Sequence, residues 1–160
     1  MQQNQAQEQL QRSKMTEKET VKASGIDLPI SAKHAIEICS FMKGKEIGKI
    51  KDTLNKVIEE KVAIKLKRFY HKRGHKKGHI GPGFYPKKAS MHFLQLLTTL
   101  EGNAKNQGIN AELLKIDKAI TNRSSVSWHY GRHRGRRMKR TCVEIFASEK
   151  EKIKETKKQK

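Results

Sequence analysis

Large apolar side chains are sparse before Val21 and after Ala147, and between those points they recur with two different periods. Ser31 suits a helix N-cap, and after it Ala35, Ile36, Ile38, Cys39 and Met42 mark one helical face that Gly44 brings to an end. Ile47, Ile50, Leu54, Val57 and Ile58 keep helical spacing over about residues 46–61, with Lys49, Lys51, Asp52 and Lys56 on the opposite side. Pro86 favours the first turn of a third helix, in which Ala89, Phe93, Leu97, Leu100 and Ala104 form a stripe widened by Leu94 and Leu96. Gly108 closes it. The period then falls to two. Leu114 and Ile116 alternate with Lys115 and Asp117, Ile120 falls on the same face, and Thr141, Val143, Ile145 and Ala147 alternate with Cys142, Glu144 and Phe146. A short strand near residues 21–23 would complete a sheet. The expected class is α+β: three helices packed on a small antiparallel sheet, with a long projecting β-hairpin.

The same pattern divides the chain. Residues 1–20 read as a polar, Gln-rich N-terminal extension that cannot bury enough apolar surface to fold alone. Residues 21–148 read as one globular domain whose extended hairpin covers about 113–147, and residues 149–160 as a charged C-terminal tail. No apolar run is long enough to span a bilayer, and the Gln-rich start lacks the apolar core of a signal peptide, so a soluble intracellular protein is expected.

Charge sharpens the picture. Among 160 residues, 36 Lys and Arg stand against 16 Asp and Glu, a formal net charge of +20. Like charges repel in a compact state, so such an excess points to a polyanionic partner. It is also segregated. Residues 61–88 hold ten basic side chains and residues 123–140 hold seven, and neither window contains an acid. A solvated face mixes both signs. Phe69, Tyr70, His71, Phe84 and Tyr85 interleave with the first window, and Trp128, His129, Tyr130 and His133 with the second. Aromatic and guanidinium planes stack on unpaired bases while Arg forks clamp phosphates, whereas a membrane-binding segment would need a broad apolar helical face. RNA is the expected partner, with no membrane partner.

Other chemistry is poorly supported. His71, His75 and His79 are spaced as ligands on a helix would be, but Gly74, Gly78 and Gly81 disfavour that helix, so contacts to phosphate or base are expected and no metal or cofactor. Cys39 and Cys142 form no CxxC pair and read as two small buried side chains without a disulfide. No P-loop, nucleophile elbow or paired acidic site appears, so an enzyme is not expected.

Several segments, in this order, resemble the universal large-subunit ribosomal protein family called L-twenty-two in bacteria and L-seventeen in eukaryotes. They are Pro29-Ile30-Ser31-Ala32-Lys33-His34-Ala35-Ile36-Glu37-Ile38-Cys39, Lys43-Gly44-Lys45, Tyr85-Pro86-Lys87-Lys88-Ala89, Glu101-Gly102-Asn103-Ala104 with Gly108, and Gly131-Arg132-His133-Arg134-Gly135-Arg136. The resemblance runs from about Leu28 to Ala147, and the insertion from Lys65 to Gly83 is similar to the archaeal and eukaryotic branch. The Gln-rich start departs from both branches, and the segment after Gly135 is shorter than the family pattern. The resemblance implies a structural constituent of the large ribosomal subunit on the cytosolic ribosome. Its partners would be large-subunit rRNA, neighbouring large-subunit proteins and the nascent polypeptide chain, with the hairpin lining the polypeptide exit tunnel.

Charge placement and resemblance together assign rRNA binding to Lys33, His34, Lys67, Arg68, Tyr70, Lys72, Arg73, Lys76, Lys77, Lys87 and Lys88, and to Arg123, Arg136, Arg137, Lys139 and Arg140. The hairpin tip at the tunnel would carry Trp128, His129, Tyr130, Arg132, His133 and Arg134. The competing expectation is a free-standing RNA-binding or RNA-chaperone protein that uses the same surfaces.

Overall fold

The first described helix starts on backbone geometry alone. Ser31 sits at the N-cap of α1 (Ala32–Met42) in extended conformation, and its hydroxyl makes no capping bond. The structure, a computed structural model, describes residues 20–78 and 80–149. Ala35, Ile38, Cys39 and Met42 of α1 are buried, but Ile36 is only half-buried. Glu37, 1% exposed, turns inward in its stead. Gly44 ends the helix at φ 79°, and its N–H reaches the carbonyl of Ile116 at 2.7 Å.

The second helix, α2 (Ile47–Ile58), buries Ile47, Ile50, Leu54 and Val57 of the expected face, while Ile58 is only half-buried. It is shorter than the expected 46–61, because Glu60 takes a left-handed turn at φ 61° while the Lys61 and Val62 N–H groups fold back onto the Lys56 carbonyl. In α3 (Lys87–Asn106), Pro86 is the N-cap and not the first helical residue, and Ala89, Phe93, Leu97, Leu100 and Ala104 are buried together with Leu96 and Ser90. Gly108 closes it at φ 74°.

These helices cover one face of an antiparallel sheet with strand order β1-β6-β5. The expected short first strand is longer than three residues: β1 spans Thr20–Leu28. The other two are β5 (Leu114–Arg123) and β6 (Thr141–Glu149). Thr20 and Glu149, placed by sequence in the polar extension and tail, are therefore strand ends, and the rest of both segments lies outside the described residues. Alternation along β6 is as predicted, with Thr141, Val143, Ile145 and Ala147 buried. Along β5 it breaks. The register shifts between Ile116 and Lys118, so Ala119 and Thr121, not Ile120, oppose the buried Ile145 and Val143. Thr121 Oγ1 lies 2.9 Å from Cys39 Sγ, and burial raises that thiol to a pKa of about 11. Cys142 faces the other way and is half-buried, not a core residue, and both cysteines are free.

A second small sheet comes from the inserted segment: β2 (Ile64–Lys65), β3 (His75–Lys76) and β4 (Gly81–Phe84), in the order β2-β4-β3. Gly83 packs closely in its central strand, where a Cβ would meet the Ile64 carbonyl at 3.3 Å and Lys76 Cγ at 3.2 Å. The architecture is thus α+β, with three α-helices and two small antiparallel sheets among the described residues.

Antiparallel bonding continues past the ends of β5 and β6 into the connection, residues 124–140. Ser124 N–H reaches the Arg140 carbonyl at 3.3 Å, Met138 N–H the Ser127 carbonyl at 2.8 Å, and His129 N–H the Arg136 carbonyl at 2.9 Å. Trp128 and Arg137 form an isolated bridge, and a single 3-10 turn at Gly131–His133 reverses the chain. Two further bonds tie the root of the connection to β1. Ser124 Oγ donates to the Asp27 carboxylate, and Arg140 donates to the Asp27 carbonyl at 3.1 Å.

Candidate nucleic-acid interface

Glu37 organises the first basic window. Its Oε2 accepts from the Lys67 N–H at 2.9 Å, and its Oε1 accepts from the N–H groups of Arg68 at 2.8 Å and Phe69 at 2.7 Å. Three backbone donors on one carboxylate stabilise a buried charge and fix the loop that follows β2. With the backbone held inward, the side chains of Lys67, Arg68 and Tyr70 are exposed. The sequence reading missed Glu37 as a functional residue, because its partners lie thirty residues away and no local spacing marks them.

That loop meets the amino end of α1 and the end of the 124–140 connection. A cleft of about 400 Å³ is lined by Ser31, Lys33, His34, Leu66, Arg68, Phe69, His71, Arg73, Phe84 and Lys139. A second, of about 510 Å³, shares Ser31, His34 and Lys139 and adds Pro29, Ile30, Glu60, Tyr85, Pro86, Lys87, Lys88 and Ala89. A third, of about 290 Å³, shares Lys88 and Lys139 and adds His129, Arg137, Met138 and Arg140 beside Pro29. Lys139 lines all three. The two windows, distant in sequence, therefore form one basic track over the body, and its lining contains one acid, Glu60, which pairs with Lys87 at 2.8 Å.

The electrostatics follow from this crowding. Burial, then the charges of Arg73 and Lys139, hold His34 below its ordinary pKa of 6.5. Lys67 lines none of the three clefts but a separate hollow, with Lys43, Lys45, Lys65 and Glu37. There burial, then Lys67, lowers the pKa of Lys45, whose ammonium lies 3.3 Å from the centroid of Phe41. Lys43, Lys45 and Lys65 were not among the expected contacts, although charge alone could have flagged them.

Of the aromatic residues expected to interleave with the charge, Phe84 is buried and packs on His34 at 4.4 Å, so it braces the cleft and offers no open face. Phe69 is half-buried, with Lys33 and Arg68 over its ring. Tyr70, Trp128 and Tyr130 are exposed, and Arg137 sits 4.7 Å from the Trp128 ring centroid. Tyr70, Lys72, Lys76, Lys77, Arg123, Trp128, Tyr130, Arg132, His133, Arg134 and Arg136 line none of the three clefts. Among the described residues no cluster of three His, Cys, Asp or Glu could hold a metal, and His79 lies outside them. Nor is any described helix long and apolar enough to cross a membrane.

No family model matches the chain. Curated relatives do. It is 38% identical over 138 residues to the large ribosomal subunit protein uL22 of Archaeoglobus fulgidus, covering 82% of this chain and 89% of that protein. It is 38% identical over 120 residues to uL22 of Methanococcus aeolicus, covering 73% and 78%. Against uL22 of Ignicoccus hospitalis it is 33% identical over 142 residues, covering 82% and 89%.

Proposed function

This chain belongs to the uL22 family, structural constituents of the large ribosomal subunit with rRNA and ribosomal proteins as partners, and from that premise we propose that it holds large-subunit rRNA along the basic track and extends its 124–140 connection into the polypeptide exit tunnel. The observation that carries the reading is the position of Lys139, which lines all three clefts and so joins the surface of the body to the root of the connection. A phosphate backbone lying along such a track neutralises the repulsion between the two windows and releases counterions as it does so. Body contacts would come from Lys33, His34, Arg68, Arg73, Lys87 and Lys88, and arm contacts from Arg137, Lys139 and Arg140.

In this reading residues 21–148 act as one rRNA-binding domain, and the exposed Trp128, His129, Tyr130, Arg132, His133 and Arg134 form the part nearest the tunnel lumen and the nascent chain. The protein would then work on the cytosolic ribosome. Its role is architectural and not catalytic. A tip without carboxylates suits passage between RNA helices, because each Arg meets a phosphate and none is repelled.

The test is sedimentation. In cells carrying Arg132→Ala, Arg134→Ala and Arg136→Ala together as the sole copy, large subunits should fall relative to small ones. The wild-type protein should remain with large subunits in gradients of moderate salt. Normal subunit profiles from the triple variant would count against the arm's role. A wild-type protein that washes off the particle would point instead to a free-standing RNA binder.

A further inference from the structure

His34 stands at the crossing of the first two clefts, half-buried, with its ring set on Phe84 at 4.4 Å. Its surroundings are one-sided in charge. Its own helix contributes Lys33, the loop after β2 contributes Arg68, His71 and Arg73, and the end of the 124–140 connection contributes Lys139. On the other flank stand Tyr85, which precedes α3, Lys87 and Lys88 from the start of α3, and Glu60, whose carboxylate is held by Lys87 at 2.8 Å. No carboxylate lines the first cleft. A cavity of about 400 Å³ walled by cations and a half-buried imidazole is shaped for an anion, and it is unfavourable to the empty molecule.

We propose that His34, Arg73 and Lys139 form a seat for one phosphodiester of an RNA strand, and that the imidazole binds the phosphate oxygen as a charged donor beside the guanidinium and the ammonium. The proposal rests on the reading of this face as an rRNA surface, and it names the ligand group and the chemical state of one contact. In the free protein, burial and the neighbouring cations favour the neutral imidazole. A phosphodiester between the three groups reverses the sign of the local field and accepts an N–H from either ring nitrogen. Docking therefore takes up to one proton from the solvent onto His34, the fraction set by the pH.

The sign follows from linkage. Bound, the imidazole titrates above its ordinary value; free, it titrates below it. Between those two values affinity rises as the pH falls, and outside them it is flat with respect to this group.

The experiment is calorimetric titration of the full chain with a short oligouridylate, in two buffers that differ in ionisation heat. At pH 7 wild-type binding should take up a measurable fraction of a proton, and its affinity should be about threefold to tenfold higher at pH 6 than at pH 8. His34→Gln should lose that uptake and weaken binding mainly at pH 6. His34→Lys, which carries a fixed charge, should bind about as tightly at pH 8 as at pH 6 and should also lose the uptake. His71→Gln controls for the neighbouring imidazole and should keep it, and circular dichroism checks that each variant is folded. Undiminished proton uptake by His34→Gln, with RNA still bound, would overturn the seat and leave the rRNA surface standing. A folded wild-type chain that does not bind the oligonucleotide overturns both.

Discussion

A carboxylate that is 1% exposed needs its oxygens occupied, and Glu37 meets that need with the N–H groups of Lys67, Arg68 and Phe69. Glu37→Gln keeps an acceptor for two of these donors at most and turns an amide N–H₂ toward the third. The expected result is a loss of about 2–3 kcal/mol of stability in urea unfolding, since hydrogen bonds to a buried charge are worth more than neutral ones. Faster proteolysis between Leu66 and Tyr70 should accompany it, because the loop loses its anchor. Unchanged unfolding midpoint and slope would show that the three bonds do not hold the loop. Little of this was legible in the sequence. Helical spacing marked Ala35, Ile38, Cys39 and Met42 correctly, but it cannot distinguish a Glu that faces solvent from one that accepts distant backbone bonds, so Ile36 took the core position in the expected pattern. Lys33 and His34 were singled out by the family resemblance and not by charge spacing, and both line the first cleft.

The three helices, of eleven to twenty residues, were read well because their period repeats often enough to average out exceptions. The strands of the inserted segment are two to four residues long, so β2, β3 and β4 show no period at all. Bulges escape for a related reason. One extra residue at Asp117 leaves acceptable alternation on each side and reverses which face Ile120 occupies. The irregularity in β1 between Gly25 and Leu28 carries Asp27 at φ 54°, and from there Asp27 accepts from Ser124 and Arg140. This latch couples the edge strand to the root of the connection. Asp27→Ala should cost about 1 kcal/mol overall and raise amide exchange at the root of the connection, around Ser124 and Arg140, while exchange within α3 is unaffected. Asp27→Gly, which removes the backbone strain but not the latch defect, should recover part of the stability and none of the protection. Equal exchange in all three proteins would mean that the connection is held by its own cross-strand bonds alone.

At the scale of the molecule, the sequence revealed two acid-free windows but not their meeting. Proximity between residue 73 and residue 139 depends on β6 lying centrally in its sheet, which returns the connection beside the start of α1. That placement separates two explanations of RNA affinity that composition cannot separate. If net charge governs binding, any exposed lysine of the windows is equivalent to any other. If the track governs it, position decides. Lys139→Glu and Lys77→Glu alter the net charge equally, and both side chains are exposed, but Lys139 lines three clefts and Lys77 none. Measured against one large-subunit rRNA fragment at a single moderate salt concentration, Lys139→Glu should weaken binding about tenfold or more, and Lys77→Glu about twofold. The salt slope should flatten further for Lys139→Glu, since a reversed charge inside the track displaces phosphates from its neighbours as well as from itself. Equal losses in the two variants would return the affinity to bulk charge and remove the basis for a continuous path from the body to the arm.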